Sequence, residues 1–199
     1  TSTSGSTIFN RSSNSLVWNG RLWVAGGVNS VTGNTVGYSS DGITWSQGTL
    51  TYSPGVLNSM AWNGSLFICG SSSTSLGYSY DGITWLSLGA MGNSTSVVWA
   101  NSLKFFVICN TAGNFGIGNS QGTDYSSVYA PGSNSREMVW SEQLGMIINY
   151  SGTRVFYSYD GKTWNIVNNL TTTNPCVCTW AAELGIFCLI DGSKNCYTS

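Results

Sequence analysis

The stretch YSYDGITW, at Tyr78–Trp85, decides the fold of this sequence because it occurs three times. It returns as YSSDGITW at Tyr38–Trp45 and as YSYDGKTW at Tyr157–Trp164. The first two copies are about 40 residues apart, and the same step leads on to a degenerate copy, GNSQGTDY, around Gln121. A repeat of this period therefore runs along the chain, and such periods are typical of solenoids, propellers and arrays.

A tryptophan provides a second landmark with the same step. Each of these tryptophans ends a stretch of small or apolar residues. It is followed by a polar turn and then by another apolar run, such as LFICG. Short apolar runs bounded by turn signals indicate β-strands, and no segment has a helical periodicity. Four strands in a unit of about 40 residues are the signature of a propeller blade. The landmark tryptophans are Trp18, Trp62, Trp99, Trp140 and Trp180.

The sequence thus predicts one domain over residues 1–199, an all-β, five-bladed β-propeller of four-stranded antiparallel blades. The two ends predict how it closes. The last residues, NCYTS, match VGYSS before Asp41, and Ser4–Ile8 aligns with Asp41–Trp45. We therefore expect an N-terminal strand near Ile8 and Phe9 to complete the last blade, which leaves no bare sheet edge. A fragment of a larger ring is the alternative.

The repeated turn resembles a known motif. Ser39, Asp41, Gly42, Thr44 and Trp45 resemble the Asp-box, or BNR repeat, of sialidase-like propellers, and the repeat also looks like those of phage and large-virus propeller proteins. The family pattern usually has one more residue between the aspartate and the glycine. The resemblance implies that these boxes lie away from any active site.

The chemistry of these residues also predicts a structural role for the turn. An Asp-Gly pair between two strands is a hairpin turn, in which the glycine takes a positive φ and the aspartate accepts backbone hydrogen bonds. The tryptophan that follows brings a large apolar area to the space between blades. Residues that recur around a ring cannot all converge on one substrate. We therefore predict a structural role for Asp41, Gly42, Trp45, Asp81, Gly82, Trp85, Asp160, Gly161 and Trp164.

Residues for catalysis are scarce in the rest of the sequence. The chain has no histidine, which removes the usual triad base and the commonest metal ligand. A glycosidase needs two facing carboxyl groups, and the other acidic residues show no such pairing. Sialidases use an arginine triad, but the arginines here do not recur in phase. The sequence predicts a protein that is not an enzyme and that has no cofactor or metal.

The low charge content limits the kinds of partner that we expect the protein to bind. Only 8% of the residues are charged and the net charge is −1, so no basic face is available for nucleic acid. No apolar run is long enough for a membrane span, so we expect no membrane insertion. A surface rich in Ser, Thr, Asn and Gly suits extracellular, cell-surface or virion proteins better than cytosolic enzymes.

The predicted ligand site lies on the loop face, which is the face opposite the Asp-Gly turns. There the linkers between blades vary, and variable loops on a rigid ring often carry binding. Aromatic faces, amides and hydroxyls suit sugars, so we predict lectin-like glycan recognition. The alternative is a structural or adhesive component of a virion, phage tail or cell surface that docks on other proteins. The candidate ligand-binding residues are Tyr52, Asn93, Tyr129, Asn134, Arg136 and Asn168; a weaker candidate is the central channel near Val17, Val98 and Val139.

Overall fold

The computed structural model describes residues 5–73, 75–121, 125–129, 135–168, 170, 172–173 and 177–199. The fold is all-β apart from one helical turn, α1 (Gly5–Ile8). Strands that follow one another within a sheet pair in the antiparallel sense, because short turns join them. No helix in the described part of the chain is long and apolar enough to cross a membrane.

The strands form five sheets that follow one another along the chain. The first sheet contains β1 (Ser12–Trp18), β2 (Trp23–Asn29), β3 (Gly33–Ser39) and β4 (Ser46–Gln47). The second contains β5 (Thr49–Leu50), β6 (Leu57–Trp62), β7 (Phe67–Ser71), β8 (Ser75–Ser79) and β9 (Thr84–Ala90).

The remaining three sheets repeat the arrangement. The third contains β10 (Ser94–Ala100), β11 (Phe105–Asn110), β12 (Asn114–Asn119) and β13 (Tyr125–Tyr129). The fourth contains β14 (Ser135–Ser141), β15 (Met146–Ser151), β16 (Arg154–Ser158) and β17 (Asn165–Ile166). The fifth contains β18 (Val177–Ala181), β19 (Ile186–Ile190) and β20 (Cys196–Thr198).

The sheets stand side by side in chain order. The strands β1, β6, β10, β14 and β18, called the inner strands below, each contact the next one in this series. Apolar side chains of neighbouring sheets pack into clusters between them. One such cluster joins Val24 and Val36 of the first sheet to Phe67 and Cys69 of the second. The core is therefore divided among the spaces between sheets, as expected for short sheets that each bury both faces.

The aspartate of the repeated turn makes the same three hydrogen bonds in each of its three copies. In the second copy, Asp81 Oδ1 accepts hydrogen bonds from the backbone N–H groups of Ile83 and Thr84, both at 2.8 Å, and from the Ser79 hydroxyl at 2.9 Å. Gly82 has a φ of 76°, which a side chain would strain. The turn aims Trp85 back over the sheet, where its indole donates a hydrogen bond of 3.2 Å to the Gly82 carbonyl.

The three tryptophans of these turns are buried to different degrees. Trp85 is fully buried between the first and second sheets, and Trp164 is buried between the third and fourth. Trp45 is only half-buried and has Phe9 as its aromatic neighbour, with 6.2 Å between ring centroids. The difference follows from position, because Trp45 belongs to the first sheet and no described sheet precedes it.

Two expectations about the architecture are wrong in detail. The sheets are not five sets of four strands, because the second has five strands and the fifth has three among the described residues. The second sheet has an additional strand, β5, which is part of the linker after the first sheet and pairs in parallel with β9. A linker strand can be added in this way because a sheet edge presents unpaired backbone groups.

The predicted closing strand is also wrong. The segment that includes Ile8 forms α1, which contacts β2, β3 and β4 of the first sheet instead of extending the fifth. The Asn29 side chain donates hydrogen bonds of 2.9 and 3.0 Å to the Thr7 and Ile8 carbonyls. Phe9 covers the sheet where glycine leaves room, since a Cβ at Gly37 would lie 2.8 Å from its ring. Local packing thus holds this segment on the first sheet.

Candidate functional site

Four of the inner strands contain a β-bulge at the same place. The register of β1, β6, β10 and β14 shifts once in each strand, and one residue is left over at each shift. A bulge redirects a side chain out of the regular alternation of a strand, and bulges are frequent beside functional sites. The extra residues are Asn14, Asn58, Thr95 and Arg136.

The four bulged residues line one polar cleft, which we call the central cleft. One part of it, of about 260 Å³, is lined by Asn14, Asn58, Thr95 and Arg136 together with the residues that follow them. An adjoining part, of about 420 Å³, shares the last three of these residues and adds Asn93. The cleft is therefore built by neighbouring inner strands, and its walls present amides, hydroxyls, one guanidinium and the Glu137 carboxyl group.

Hydrogen bonds between sheets hold the bulged side chains in place. Asn58 Nδ2 donates to the Ser94 carbonyl at 2.9 Å, and the Thr95 hydroxyl donates to the Ser135 carbonyl at 2.8 Å. Asn14 Nδ2 makes the equivalent, longer contact of 3.4 Å with the Leu57 carbonyl. Each acceptor belongs to the inner strand of the following sheet. The cleft walls are therefore ordered before a ligand arrives, which lowers the entropy cost of binding.

The residues after the bulges form a second set of bonds between sheets. Ser59 Oγ accepts from the Val97 backbone N–H, and Ser96 Oγ accepts from the Met138 N–H, both at 3.0 Å. In the fourth sheet a carboxylate has this position, and Glu137 Oε2 accepts from the Cys178 N–H at 3.0 Å. Burial is the largest influence on Glu137 and raises its pKa above the usual value, while the hydrogen bond from Cys178 acts in the opposite direction.

Arg136 differs from its three equivalents. Asn14, Asn58 and Thr95 are each bonded to the next sheet, whereas Arg136 is exposed and makes no hydrogen bond or ion pair with any described residue. A guanidinium carries five N–H donors in a planar fork that matches a carboxylate or phosphate. Arg136 therefore supplies a cationic donor set at the wall of the cleft that no residue in the described part of the chain engages.

The candidate residues from the sequence are distributed unevenly. Asn93 and Arg136 lie together in the central cleft. Asn168 is exposed on the linker that follows β17 and does not line the cleft. Tyr129 ends strand β13, and only its backbone is described. Asn134 lies outside the described residues.

The structure places Tyr52 differently from the prediction. The sequence places it on the loop face as a sugar-stacking residue, but its ring packs into the core between the first and second sheets. Its hydroxyl lies 3.4 Å from Cys69 Sγ, and its ring lies over Gly77, whose lack of a Cβ leaves room for it. Burial raises the pKa of Tyr52 above its usual range. A glycine in the facing strand is the reason that the aromatic ring turns inward.

The three valines that the sequence suggests for a central channel also pack in the core instead. Val17, Val98 and Val139 pack against the apolar clusters between sheets. The sequence nevertheless contained a signal for the cleft. Each bulged residue lies four positions before a landmark tryptophan, at Trp18, Trp62, Trp99 and Trp140. The signal was easily missed because a bulge breaks the alternation on which a strand prediction rests.

The turn aspartates are engaged in their own turns. The backbone N–H groups of Thr44 and Ile43, with the Ser39 hydroxyl, lower the pKa of Asp41 to about 2. At Asp160 desolvation acts to raise the pKa, but the hydrogen bonds from Thr163 and Lys162 outweigh it and lower the pKa to about 2. These carboxylates stay ionised and serve as acceptors. Within the described residues, no group of three or more His, Cys, Asp or Glu side chains is arranged to hold a metal ion.

Comparison with known proteins shows the fold. The chain matches no protein-family model, and no curated protein is similar to it. Its solved structural neighbours are β-propeller proteins. The crystal structure of a nidogen/laminin complex matches with a TM-score of 0.72 and 10% identity, over 94% of this chain and 74% of that one.

Two further structures agree. YCF48 bound to D1 peptide has a TM-score of 0.72 and 17% identity, over 97% of this chain and 63% of that one. A structural genomics protein of unknown function from Bacteroides thetaiotaomicron has a TM-score of 0.66 and 12% identity, over 93% of this chain and 53% of that one. The chain thus spans less than two thirds of these last two proteins. At such identities the likeness defines the class, a β-propeller, and no more.

Proposed function

We propose that this β-propeller is a non-catalytic binding module, and that its central cleft recognises a glycan that carries an acidic group. The observation behind this proposal is the convergence of four bulged residues on one polar cleft, and one of them is an arginine that no described residue pairs with. Amides and hydroxyls suit the hydroxyl groups of a sugar, and a guanidinium can bind a carboxylate through two parallel hydrogen bonds. The blades would follow the Asp-box plan and close into a ring of five.

The cleft favours an acidic sugar over a neutral one. Neutral sugars are commonly held by stacking on an aromatic face, but the described lining of the cleft contains no aromatic residue. Recognition would therefore rest on hydrogen bonds and on the charge of Arg136. Such a module belongs outside the cell or on the surface of a virion, where glycans are displayed.

A glycan array that includes uronate-, sialate- and sulfate-bearing members tests the proposal. The purified chain should bind acidic glycans, and the Arg136→Gln variant should lose at least tenfold in affinity, because a charged hydrogen bond is worth about 1.5–3 kcal/mol. Arg21→Gln, which removes an exposed arginine in the turn after β1, is the matched control and should bind as the parent does. Binding to neutral glycans that survives Arg136→Gln would overturn the acidic specificity.

Docking on another protein is the second candidate function. Two of the structural neighbours were solved with polypeptide partners, laminin in one case and the D1 peptide in the other. An acidic peptide segment offers the same carboxylate to Arg136 as an acidic sugar does. If the chain binds no glycan on the array and co-purifies in particles or with one protein, a structural or adhesive role would be favoured.

A further inference from the structure

Two copies of the repeated turn carry a tyrosine that is exposed to solvent. Tyr80 and Tyr159 both lie directly before the aspartate of their turn, and they are 63% and 59% exposed. A single exposed apolar residue is common on protein surfaces and needs no explanation. Here the same exposed ring recurs at the same place in two sheets, which indicates a role at the surface.

The turn itself does not require the tyrosine. The first copy has Ser40 at this position. Its Asp41 carboxylate accepts hydrogen bonds of 2.9, 2.8 and 2.7 Å, and the equivalent bonds of Asp81 measure 2.9, 2.8 and 2.8 Å. The turn therefore forms equally well with a serine, and the exposed ring is free to serve another purpose.

A second tyrosine orients each exposed ring. Tyr78 meets Tyr80 edge to face, with 5.8 Å between ring centroids and 85° between planes. Tyr157 meets Tyr159 in the same way, at 5.8 Å and 78°. Tyr78 and Tyr157 are half-buried and pack against the apolar clusters between sheets. Edge-to-face packing on an anchored ring is favourable, so each exposed ring forms an ordered aromatic surface.

Polar groups accompany the exposed ring in the fourth sheet. Asn165 is exposed and pairs with Tyr157 across the strands, so its side chain stands on the same face of the sheet. The Asn165 amide and the hydroxyls of Tyr157 and Tyr159 make no hydrogen bond with any residue in the described part of the chain. Asp160, next to Tyr159, adds an exposed carboxylate. An aromatic ring, an amide, hydroxyls and a carboxylate thus meet at one corner of this sheet.

We propose that Tyr159, Asn165 and Asp160 form a second binding site, which takes the pyranose ring of a neutral sugar. The apolar face of the sugar would stack on the Tyr159 ring, as sugars commonly do on aromatic side chains. The Asn165 amide and the Asp160 carboxylate would meet the sugar hydroxyls, because an amide both donates and accepts and a carboxylate accepts. None of these residues lines the central cleft, so this site is independent of the first proposal.

The charge of the corner favours a neutral sugar over an acidic one. Desolvation acts to raise the pKa of Asp160, but the backbone hydrogen bonds from Thr163 and Lys162 outweigh it, and the pKa is lowered to about 2. The carboxylate is therefore ionised at neutral pH and repels a second anion. Lys162 in the same turn balances this charge, so the corner offers no excess positive charge to a carboxylate or sulfate group.

The second sheet holds a reduced version of the site. Tyr80 and Asp81 correspond to Tyr159 and Asp160, but Leu86 pairs with Tyr78 where Asn165 pairs with Tyr157. The aromatic surface is retained and the amide is lost. We therefore expect weaker binding at Tyr80 and none at the first turn, where the exposed ring is missing.

Nuclear magnetic resonance of the whole labelled chain tests the site, with the neutral oligosaccharides cellotriose and chitotriose as probes. The backbone signals of Tyr159 and Asn165 should shift as one of the probes is added. Tyr159→Ala should weaken the affinity about tenfold, because the stacked ring supplies most of the apolar contact. Tyr159→Phe keeps the ring and should retain most of the affinity. Val31→Ala, which shortens an exposed side chain in the turn after β2, is the control and should bind as the parent does.

A matched exchange separates stacking from hydrogen bonding. Asn165→Leu copies the second sheet, and it should reduce the affinity of the Tyr159 site toward that of the Tyr80 site. Equal affinity of the parent and Tyr159→Ala, shifts confined to other parts of the chain, or no binding of either probe would each overturn the proposal. Circular dichroism checks that these surface variants keep their sheets.

The two sites can fail separately. Neutral glycans held by the Tyr159 site would also remain bound to an Arg136→Gln variant. Such binding counts against the acidic preference of the central cleft only if it survives Tyr159→Ala as well. Loss of neutral binding in Tyr159→Ala, with acidic binding unchanged, would assign the two classes of sugar to two different sites.

Discussion

The indole ring of Trp164, in the fourth sheet, packs against the ring of Phe115, in the third, with 4.3 Å between centroids and 41° between planes. Trp85 has the corresponding place between the first and second sheets. In the second and fourth sheets, the tryptophan of the repeated turn therefore fastens the sheet to the one before it.

Removal of these tryptophans tests that role. We expect Trp85→Ala to lower the free energy of unfolding by about 3–5 kcal/mol, as large-to-small changes of buried aromatic residues do. Trp45→Ala should cost clearly less, because Trp45 is half exposed, whereas Trp85 is fully buried. Chemical denaturation of both variants and the parent measures the difference. Equal losses for the two variants would contradict a fastening role that depends on the neighbouring sheet.

Gly77 should tolerate no side chain. A Cβ there would lie 1.7 Å from the Tyr52 hydroxyl and 2.7 Å from Cys69 Sγ. We expect Gly77→Ala to destabilise the protein by about 1–3 kcal/mol, as overpacking does. Tyr52→Phe removes the closest atom, so the double variant Gly77→Ala/Tyr52→Phe should recover part of the loss. Strict additivity of the two changes in a double-mutant cycle would show that the residues do not meet.

The turn aspartates should make the fold sensitive to acid. The pKa values of Asp41 and Asp160 are about 2 in the folded protein, below the value of about 3.9 for an unfolded aspartate. The folded state therefore binds fewer protons in this interval. Their stabilisation is complete above the unfolded pKa and is lost as the pH falls through the folded pKa.

Thermal unfolding between pH 7 and pH 2 measures this dependence. The melting temperature should fall below about pH 4, and Asp160→Asn should flatten that part of the curve because one of the titrating groups is gone. Glu183→Gln, which changes an exposed carboxylate in the turn after β18, is the control. An unchanged curve for Asp160→Asn would show that the carboxylate contributes nothing as an ion.

Glu137 should oppose an anionic ligand in the central cleft. Glu137→Gln keeps an oxygen that can accept from the Cys178 N–H but removes a charge beside Arg136. We expect the variant to bind acidic glycans about fivefold more tightly, since a nearby unit charge is worth about 1 kcal/mol in water-like surroundings. Isothermal titration with one acidic glycan measures both proteins.

The pH dependence supplies a second readout for Glu137. Burial raises the pKa of this carboxyl, so acidification neutralises it before ordinary glutamates. The affinity of the parent for a sulfated glycan, which stays charged, should rise as Glu137 takes up its proton, and the affinity of Glu137→Gln should stay level. A parallel rise in both proteins would show that another group is responsible.

Much of the β-propeller followed from local signals in the sequence. The turn at Asp81 and Gly82 needs only residues within the stretch, because Asp81 accepts from the backbone N–H groups of Ile83 and Thr84 and Gly82 takes a positive φ. The strands follow from short apolar runs between such turns. Repetition then specified the class of fold, since each unit has to bury the same surface against its neighbours.

The candidate site was less predictable. The sequence singles out Arg136 and Asn93 as candidates, but nothing in their own neighbourhood distinguishes them from Tyr52, whose ring is partly buried in the core. Asn14, Asn58 and Thr95 were not recognised at all. Their importance depends on bulges, and a bulge exists only in the pairing of one strand with another.

The sequence by itself determined the repeat, the turn chemistry and the alternation of strands, because these rest on contacts between residues close together along the chain. Only the tertiary structure decided where Phe9 packs, how many strands each sheet holds, and which polar side chains share a cleft. Those outcomes depend on space left by other elements: the missing Cβ of Gly37 leaves room for Phe9, and the missing Cβ of Gly77 leaves room for Tyr52.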